Sequence, residues 1–172
     1  MRTAVVVFAL GGALVLQTTL SGLFVGTTVV VNLVLVAVVY LALAYGPVTG
    51  MLSGMVGGLA QDALAGGIVG VGGMTKTLIG FVVGVLGAQF NLSSTPPRLV
   101  MFVVATFVHQ LMLAGLQRIT GGPVMSLQFS SMLIQALLNG LIGSIAFVIV
   151  EQGPEAVQKR RMRRTSFAKK RY

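Results

Sequence analysis

Few side chains in this sequence have the chemistry that catalysis or metal binding requires. Cysteine is absent, there is one histidine, and only three residues are Asp or Glu. Cys-ligated zinc sites and thiol nucleophiles are therefore excluded, and His109 has no second histidine with which to complete a metal site. We expect His109 to hydrogen-bond across helices instead. Because no nucleophile–base pair is visible, the sequence predicts a protein that is not an enzyme and that binds no cofactor.

Asp62 is the most informative single residue, since it is the only carboxylate between residues 1 and 150. A charged Asp in the middle of a membrane costs at least about 2.5 kcal/mol. Asp62 should therefore lie near an interface, or be paired, hydrogen-bonded or protonated. Its candidate partners are Lys76, Arg118 and Thr75, all of which are predicted to lie on the outer side of the membrane. Three roles remain open: bracing the loop over residues 66–73, contacting a partner or ligand, and coupling to protons.

The segment GVGGMTKT, from Gly70 to Thr77, resembles a phosphate-binding loop at first sight. A P-loop requires Gly-Lys-Ser/Thr at its end, and here Thr75 stands in the place of that glycine. No strand precedes the segment either, so the structural context of such a loop is missing. A flexible connector into the next helix is the better interpretation.

The composition indicates where the protein resides. Hydrophobic residues make up 55% of the 172, charged residues only 9%, and the mean hydropathy is +0.95. Soluble domains have about 25% charged residues, and no soluble core of this size can hide so much apolar surface. The sequence therefore predicts an integral membrane protein, and nucleic-acid binding is not expected because a folded basic surface is missing.

The sequence contains six apolar runs, and each is close to the length of about 20 residues that a helix needs to cross the hydrocarbon core of a membrane. They predict six transmembrane helices. All five prolines fall at breaks between the runs or after the last one. The third run is half glycine and is either a full span, a shortened helix or a re-entrant segment. The predicted fold is an all-α bundle of six transmembrane helices over residues 1–152, with spans at about 4–24, 29–45, 48–65, 76–90, 98–117 and 128–150.

A basic tail follows the bundle at residues 153–172. Lys and Arg are retained on the cytoplasmic side, so the tail is predicted to be cytoplasmic, and six spans place the N-terminus there as well. The tail can lie against anionic lipids or bind an acidic cytoplasmic partner. The predicted contact residues are the eight basic ones: Lys159, Arg160, Arg161, Arg163, Arg164, Lys169, Lys170 and Arg171.

Glycines recur every four residues along the third span, at Gly46, Gly50, Gly54 and Gly58. This spacing keeps them on one broad helix face, where small residues let two backbones approach closely. The face either packs within the chain's own bundle or forms a groove for another protein's helix. Asn32 and Asn139 are interpreted as polar contacts between helices, with a small pocket as the alternative.

The stretch from Asn32 to Gly84 resembles the bacterial rod shape-determining protein MreD. The resemblance lies in an Asn that opens the second span, a Gly-x3-Gly run into Leu-x-x-Asp, and glycines around the following loop. An Asn in the last span, followed by a basic end from Lys159 onward, also fits. Val31 departs from the family's Pro at this position, which leaves the start of the second helix open. The residues that carry the resemblance, and that are assigned to partner binding or helix packing, are Asn32, Gly50, Gly54, Gly58, Asp62, Gly66, Gly70 and Asn139.

The resemblance implies a non-enzymatic scaffold in the machinery of bacterial cell elongation, as a multi-pass protein of the bacterial plasma membrane. Members of this family bind MreC, a single-span protein, and are connected through it to RodA, a class B penicillin-binding protein and MreB filaments. The family is also similar in architecture to the substrate-binding subunits of energy-coupling-factor transporters. The alternative function is therefore that of a vitamin-binding membrane subunit, although the scarcity of Tyr, Trp and His favours the scaffold.

Overall fold

The computed structural model describes residues 2–23, 31–66, 68–90, 95–121 and 129–169, with the backbone alone at residues 2, 21–23, 95 and 151–169. These residues form six helices and no strand, which confirms the predicted all-α architecture. The helices are α1 (Arg2–Leu23), α2 (Leu33–Tyr45), α3 (Pro47–Ala65), α4 (Val71–Gln89), α5 (Thr95–Ile119) and α6 (Phe129–Lys169).

Four of these helices contain segments long and apolar enough to cross a membrane: Thr3–Leu20, Val71–Gln89, Pro96–Ile119 and Phe129–Val150. Helix α3 is a continuous helix of 19 residues, about 28 Å long at 1.5 Å per residue. Its hydropathy is lower than that of the four segments because it contains many glycines and several polar residues. The crossing of α2 and α3 remains a prediction.

Helix α2 lies at the centre of the bundle and contacts all five other helices. It has only 13 residues, and seven of them are buried. A helix that is apolar on every side is typical of such a central position. The largest core cluster joins α2 to α4 and α5, and it consists of Leu35, Val36, Val39, Ala42, Ile79, Val83, Phe102 and Ala105.

The start of α2 is set by Asn32, whose side-chain Oδ1 accepts a hydrogen bond from the N–H of Leu35 at 3.0 Å. This is the usual interaction of a helix N-cap. The helix therefore begins at Leu33, four residues after the predicted start of the span, and no proline at position 31 is needed to begin it. Residues 29 and 30 lie outside the described part of the chain.

Glycine and proline separate the central helices. Gly46, with φ of +94°, ends α2, and Pro47 occupies the first turn of α3, where a missing N–H does no harm. Gly70, with φ of +107°, is the N-cap of α4. Helix α4 therefore begins at Val71, five residues before the predicted span.

Helix α6 is much longer than the predicted sixth span. It extends from Phe129 to Lys169, so the backbone of residues 153–169, predicted as a tail, continues the helix through Pro154. Only the part from Phe129 to Val150 is apolar enough to cross a membrane. The predicted boundary between bundle and tail therefore does not end a helix. It is the point within α6 where apolar residues give way to polar and basic ones.

Candidate functional site

The glycine face of α3 packs against α4 within the same chain. A Cβ atom added at Gly54 would overlap the backbone carbonyl of Lys76 and lie 2.8 Å from the amide nitrogen of Thr77. At Gly58 it would lie 2.6 Å from the Cα atom of Gly73. Real Cβ atoms do not approach other atoms so closely, so only glycine permits this contact.

Helix α4 contributes glycines of its own to the same contact. A Cβ atom at Gly80 would overlap the carbonyl of Gly50, and one at Gly84 would lie 2.6 Å from the nitrogen of Pro47. The order of these pairs shows that α3 and α4 run antiparallel with their backbones in contact. A helix from another protein cannot occupy this face while α4 is there.

Asp62 joins the end of α3 to the start of α4. Its Oδ2 atom accepts hydrogen bonds from the N–H groups of Gly70 and Gly72, each at 2.9 Å, and of Gly73 at 3.1 Å. The first N–H groups of a helix have no partner within the helix, and a negative charge is favourable there. The carboxylate therefore caps α4 and closes the turn between the two helices.

The predicted partners of Asp62 are not bonded to it in the described part of the chain. The hydroxyl of Thr75 donates to the carbonyls of Gly72 and Val71, at 2.9 Å and 3.2 Å. Lys76 interacts with Asp62 electrostatically without a hydrogen bond or ion pair between them, and Arg118 is exposed. The glycine N–H groups that do bind the carboxylate were not anticipated, because a pattern of side chains does not show backbone donors.

Gly66 and Gly70 flank this turn. Gly66 ends α3 in a left-handed conformation, with φ of +66°, and the N–H of Gly70 is one of the three donors to Asp62. The segment from Gly70 to Thr77, interpreted as a flexible connector, is instead the N-cap and the first two turns of α4. An internal carboxylate accepts hydrogen bonds from three of its N–H groups.

Lys76 is buried, with 2% of its surface exposed. It lies on α4 one turn beyond the cap. It was predicted to lie at the surface on the outer side of the membrane, as a candidate partner for Asp62. Its burial follows from its position on the face of α4 that is turned towards the other helices, next to the buried Thr75.

A cavity of about 200 Å³ adjoins Lys76 and Asp62. Side chains from the start of α2, the ends of α3 and α5 and the start of α4 line it. Two of them, Gln61 and Gln117, have a buried Oε1 atom without a hydrogen-bond partner in the described part of the chain. The lining residues are Asn32, Gln61, Asp62, Ala65, Ile68, Val71, Gly72, Lys76, Leu113 and Gln117.

The structure brings Asn32 and Asn139 together at the start of α2. The N–H of Asn32 donates to Oδ1 of Asn139 at 3.1 Å, and Nδ2 of Asn139 donates to the hydroxyl of Thr106 at 3.4 Å. Gln17, on α1, accepts from the N–H of Val34 at 3.2 Å. Side chains of α1 and α6, together with the N-cap Asn32 itself, thus satisfy N–H groups at the start of α2. Gln17 was not among the predicted residues, although a glutamine within an apolar span is a recognisable signal.

His109 is also buried, with 2% of its surface exposed. Its Nε2 atom has no hydrogen-bond partner within the described residues. The expected bond between helices is therefore not formed at this atom. Among the same residues, no group of three or more His, Cys, Asp or Glu side chains is placed to hold a metal ion.

The basic residues predicted to contact lipid or a cytoplasmic partner lie at the end of the chain. The backbone of Lys159, Arg160, Arg161, Arg163, Arg164 and Lys169 belongs to α6. Lys170 and Arg171 lie outside the described residues. The contacts of this segment remain a prediction.

Comparison with known proteins identifies one family. The family model described as rod shape-determining protein MreD matches residues 2–152. The match covers all of α1 to α5 and the apolar part of α6. No curated protein and no solved structure matches the chain.

Proposed function

Because the chain belongs to the MreD family of rod shape-determining proteins, we propose that it is a non-enzymatic membrane scaffold of the cell-elongation machinery. Family membership assigns it a part in determining rod shape. The proposal adds that it binds an MreC-like single-span protein, and through that protein helps to couple MreB filaments to peptidoglycan synthesis. The synthetic partners in this proposal are RodA and a class B penicillin-binding protein.

The observation that carries the proposal is the extent of the family match, which covers the bundle from residue 2 to residue 152. Three of the buried hydroxyls support a role without catalysis. Those of Ser53, Thr75 and Thr106 each donate to a carbonyl of their own helix. None of these three is therefore paired with a base that would activate it as a nucleophile.

The partner's helix must use a face other than the glycine contact between α3 and α4, since that contact is internal. Each of five helices has an exposed apolar side chain that can carry a photo-crosslinking amino acid. These positions, one per helix, are Phe8, Val56, Phe81, Val104 and Ile145. Such variants test the partner surface without disturbing the core.

The test is crosslinking in the native membrane with identification of the captured proteins by mass spectrometry. A single-span protein with a large external coiled-coil domain, captured from one or two of the five positions, is the expected result. Capture of an ATP-binding-cassette ATPase with a transmembrane coupling subunit would overturn the proposal. It would support the alternative function of a vitamin-binding transporter subunit.

A second test uses cell shape. Depletion of the protein in the bacterium that encodes it should convert rods into spheres, and the full chain supplied from a plasmid should restore rods. Cells that remain rod-shaped on complete depletion would contradict a role in elongation.

A further inference from the structure

The cavity beside Lys76 is not explained by a scaffold function. Its volume of about 200 Å³ exceeds that of the engineered cavity of about 150 Å³ which holds a benzene molecule. That engineered cavity is wholly apolar, whereas this one contains an ammonium, a carboxylate and three amide side chains. A cavity with such a lining is suited to a polar ligand.

Two charged side chains line the cavity, Lys76 and Asp62, and they form no ion pair with each other. Lys76 is 2% exposed, and in the described part of the chain its ammonium makes no hydrogen bond or ion pair. Three N–H groups hold the Oδ2 atom of Asp62, so this carboxylate is already hydrogen-bonded to α4 and acts on the Lys76 ammonium only through space. A Lys within a membrane costs about 2.5 to 3.5 kcal/mol. An anionic group in the cavity would offset that cost.

The amides add a second requirement. In the described part of the chain, the buried Oε1 atoms of Gln61 and Gln117 lack hydrogen-bond partners, and an unsatisfied buried acceptor costs about 1 to 3 kcal/mol. These atoms have almost no accessible surface, so each amide must turn towards the cavity to meet a ligand, which must carry hydroxyl or amine hydrogens next to its anionic group. The head group of a glycerophospholipid has this combination.

The remaining lining is apolar and comes from Ala65, Ile68, Val71 and Leu113. Ile68 is 45% exposed, so the apolar side of the cavity reaches the surface of the bundle. A polar interior with an apolar edge suits a molecule whose charged group is attached to acyl chains.

We propose that this cavity binds a phosphate-bearing lipid head group, with the Lys76 ammonium as counterion and Gln61 and Gln117 facing the neighbouring hydroxyl or amine groups. Lysine binds phosphate as a point charge, and lipid phosphate is abundant around a membrane bundle. The proposal is independent of the scaffold function, because it rests on the cavity alone.

The experiment is a lipid titration of the purified full chain in non-ionic detergent, followed by native mass spectrometry. The probes are phosphatidylglycerol, diacylglycerol with the same acyl chains, and glycerol 3-phosphate. Lys76→Met removes the charge at similar length, and Gln117→Leu removes an amide while Lys76 is retained. Arg118→Gln is the matched control, since Arg118 is an exposed cation on the same end of α5 as Gln117.

In the wild type and in Arg118→Gln, one phosphatidylglycerol molecule should bind more tightly than any further phosphatidylglycerol molecules. Lys76→Met should weaken this site about tenfold or more, as expected for loss of a charge-assisted hydrogen bond, and Gln117→Leu should weaken it less. The wild type and the three variants share the same basic segment, so lipid bound there is the same in all four. Differences in their lipid affinity therefore reflect binding in the cavity.

Equal affinity of Lys76→Met and Arg118→Gln for phosphatidylglycerol would overturn the proposal, as would equal binding of diacylglycerol by the wild type. Glycerol 3-phosphate binding as tightly as phosphatidylglycerol would overturn the assignment to a lipid and indicate a soluble phosphate compound. If Lys76→Met does not fold, Gln117→Leu decides: binding equal to wild type would contradict the proposal.

Discussion

At the scale of single residues, Asp62 and Asn139 perform the same task on different helices. Each supplies a side-chain oxygen to N–H groups at the start of a helix, Asp62 for α4 and Asn139 for α2. In hydrocarbon, no water is available to satisfy such groups. These two polar side chains therefore hold helices together at the points where the backbone needs an acceptor.

Replacing Asp62 by Asn should destabilise the protein by about 1 to 2 kcal/mol, because the charge–dipole attraction at the start of α4 is lost. Asp62→Ala should cost more, since it also removes the acceptor for three N–H groups. Thermal unfolding in detergent measures both effects, with Arg118→Gln as the control for a change of charge at an exposed site. Unfolding of Asp62→Ala at the wild-type temperature would show that the cap contributes nothing.

Replacing Asn139 by Leu should leave the N–H of Asn32 without its acceptor. The expected loss is about 1 to 3 kcal/mol, the cost of an unsatisfied buried donor. Gln135→Leu, four residues earlier on α6, is the matched control, because Gln135 is only partly buried. A chemical-denaturation midpoint that is the same for both variants would contradict the role of Asn139.

At the scale of elements, α3 and α4 behave as one antiparallel unit. Their backbones touch at Gly50 and Gly80, and Asp62 closes the turn between them. This unit explains why the third helix tolerates so many glycines. Glycine weakens an isolated helix by about 1 kcal/mol relative to alanine, and here close packing against α4 compensates for that loss.

Gly54→Ala should destabilise the α3–α4 unit by about 1 to 3 kcal/mol, the usual cost of overpacking. Gly115→Ala on α5 is the control, because a Cβ atom there meets nothing within 4 Å; it should be neutral or slightly stabilising. In thermal unfolding, Gly54→Ala should therefore unfold at a lower temperature than the wild type, and Gly115→Ala at the same or a slightly higher temperature. A stable Gly54→Ala protein that fails to capture the partner would instead place the partner on this face.

At the scale of the whole molecule, the bundle is built around α2 while its two ends differ. One end carries the Asp62 cap, the cavity and Gln117, and the other carries the turn from α2 to α3 at Gly46. The predicted topology of six spans with a cytoplasmic tail places the cavity end on the outside. The distribution of Lys and Arg is the physical basis of this orientation.

Single cysteines can test the orientation, since the chain has none of its own. Thr120→Cys, at the end of α5, should react in intact cells with a membrane-impermeant maleimide. Gln89→Cys, at the end of α4, should react only after the membrane is permeabilised. Both positions are exposed, so the opposite labelling pattern would invert the predicted topology.

The sequence by itself determined the helical membrane class, the number of helices and the two features that matter most, the glycine face and Asp62. These follow from composition and from local periodicity, which depend on near neighbours in the chain. Family membership was likewise visible in the residues from Asn32 to Gly84, and the family match supports it.

Only the tertiary structure decided which partners these residues meet. Backbone N–H groups bind Asp62 where side chains were expected, Asn32 lies against Asn139 across 107 positions of sequence, and Lys76 is buried beside a cavity rather than at the surface. The physical reason is that polar groups in a membrane bond to whatever donor or acceptor the packing brings near. That choice depends on the arrangement of all six helices, which no local pattern contains.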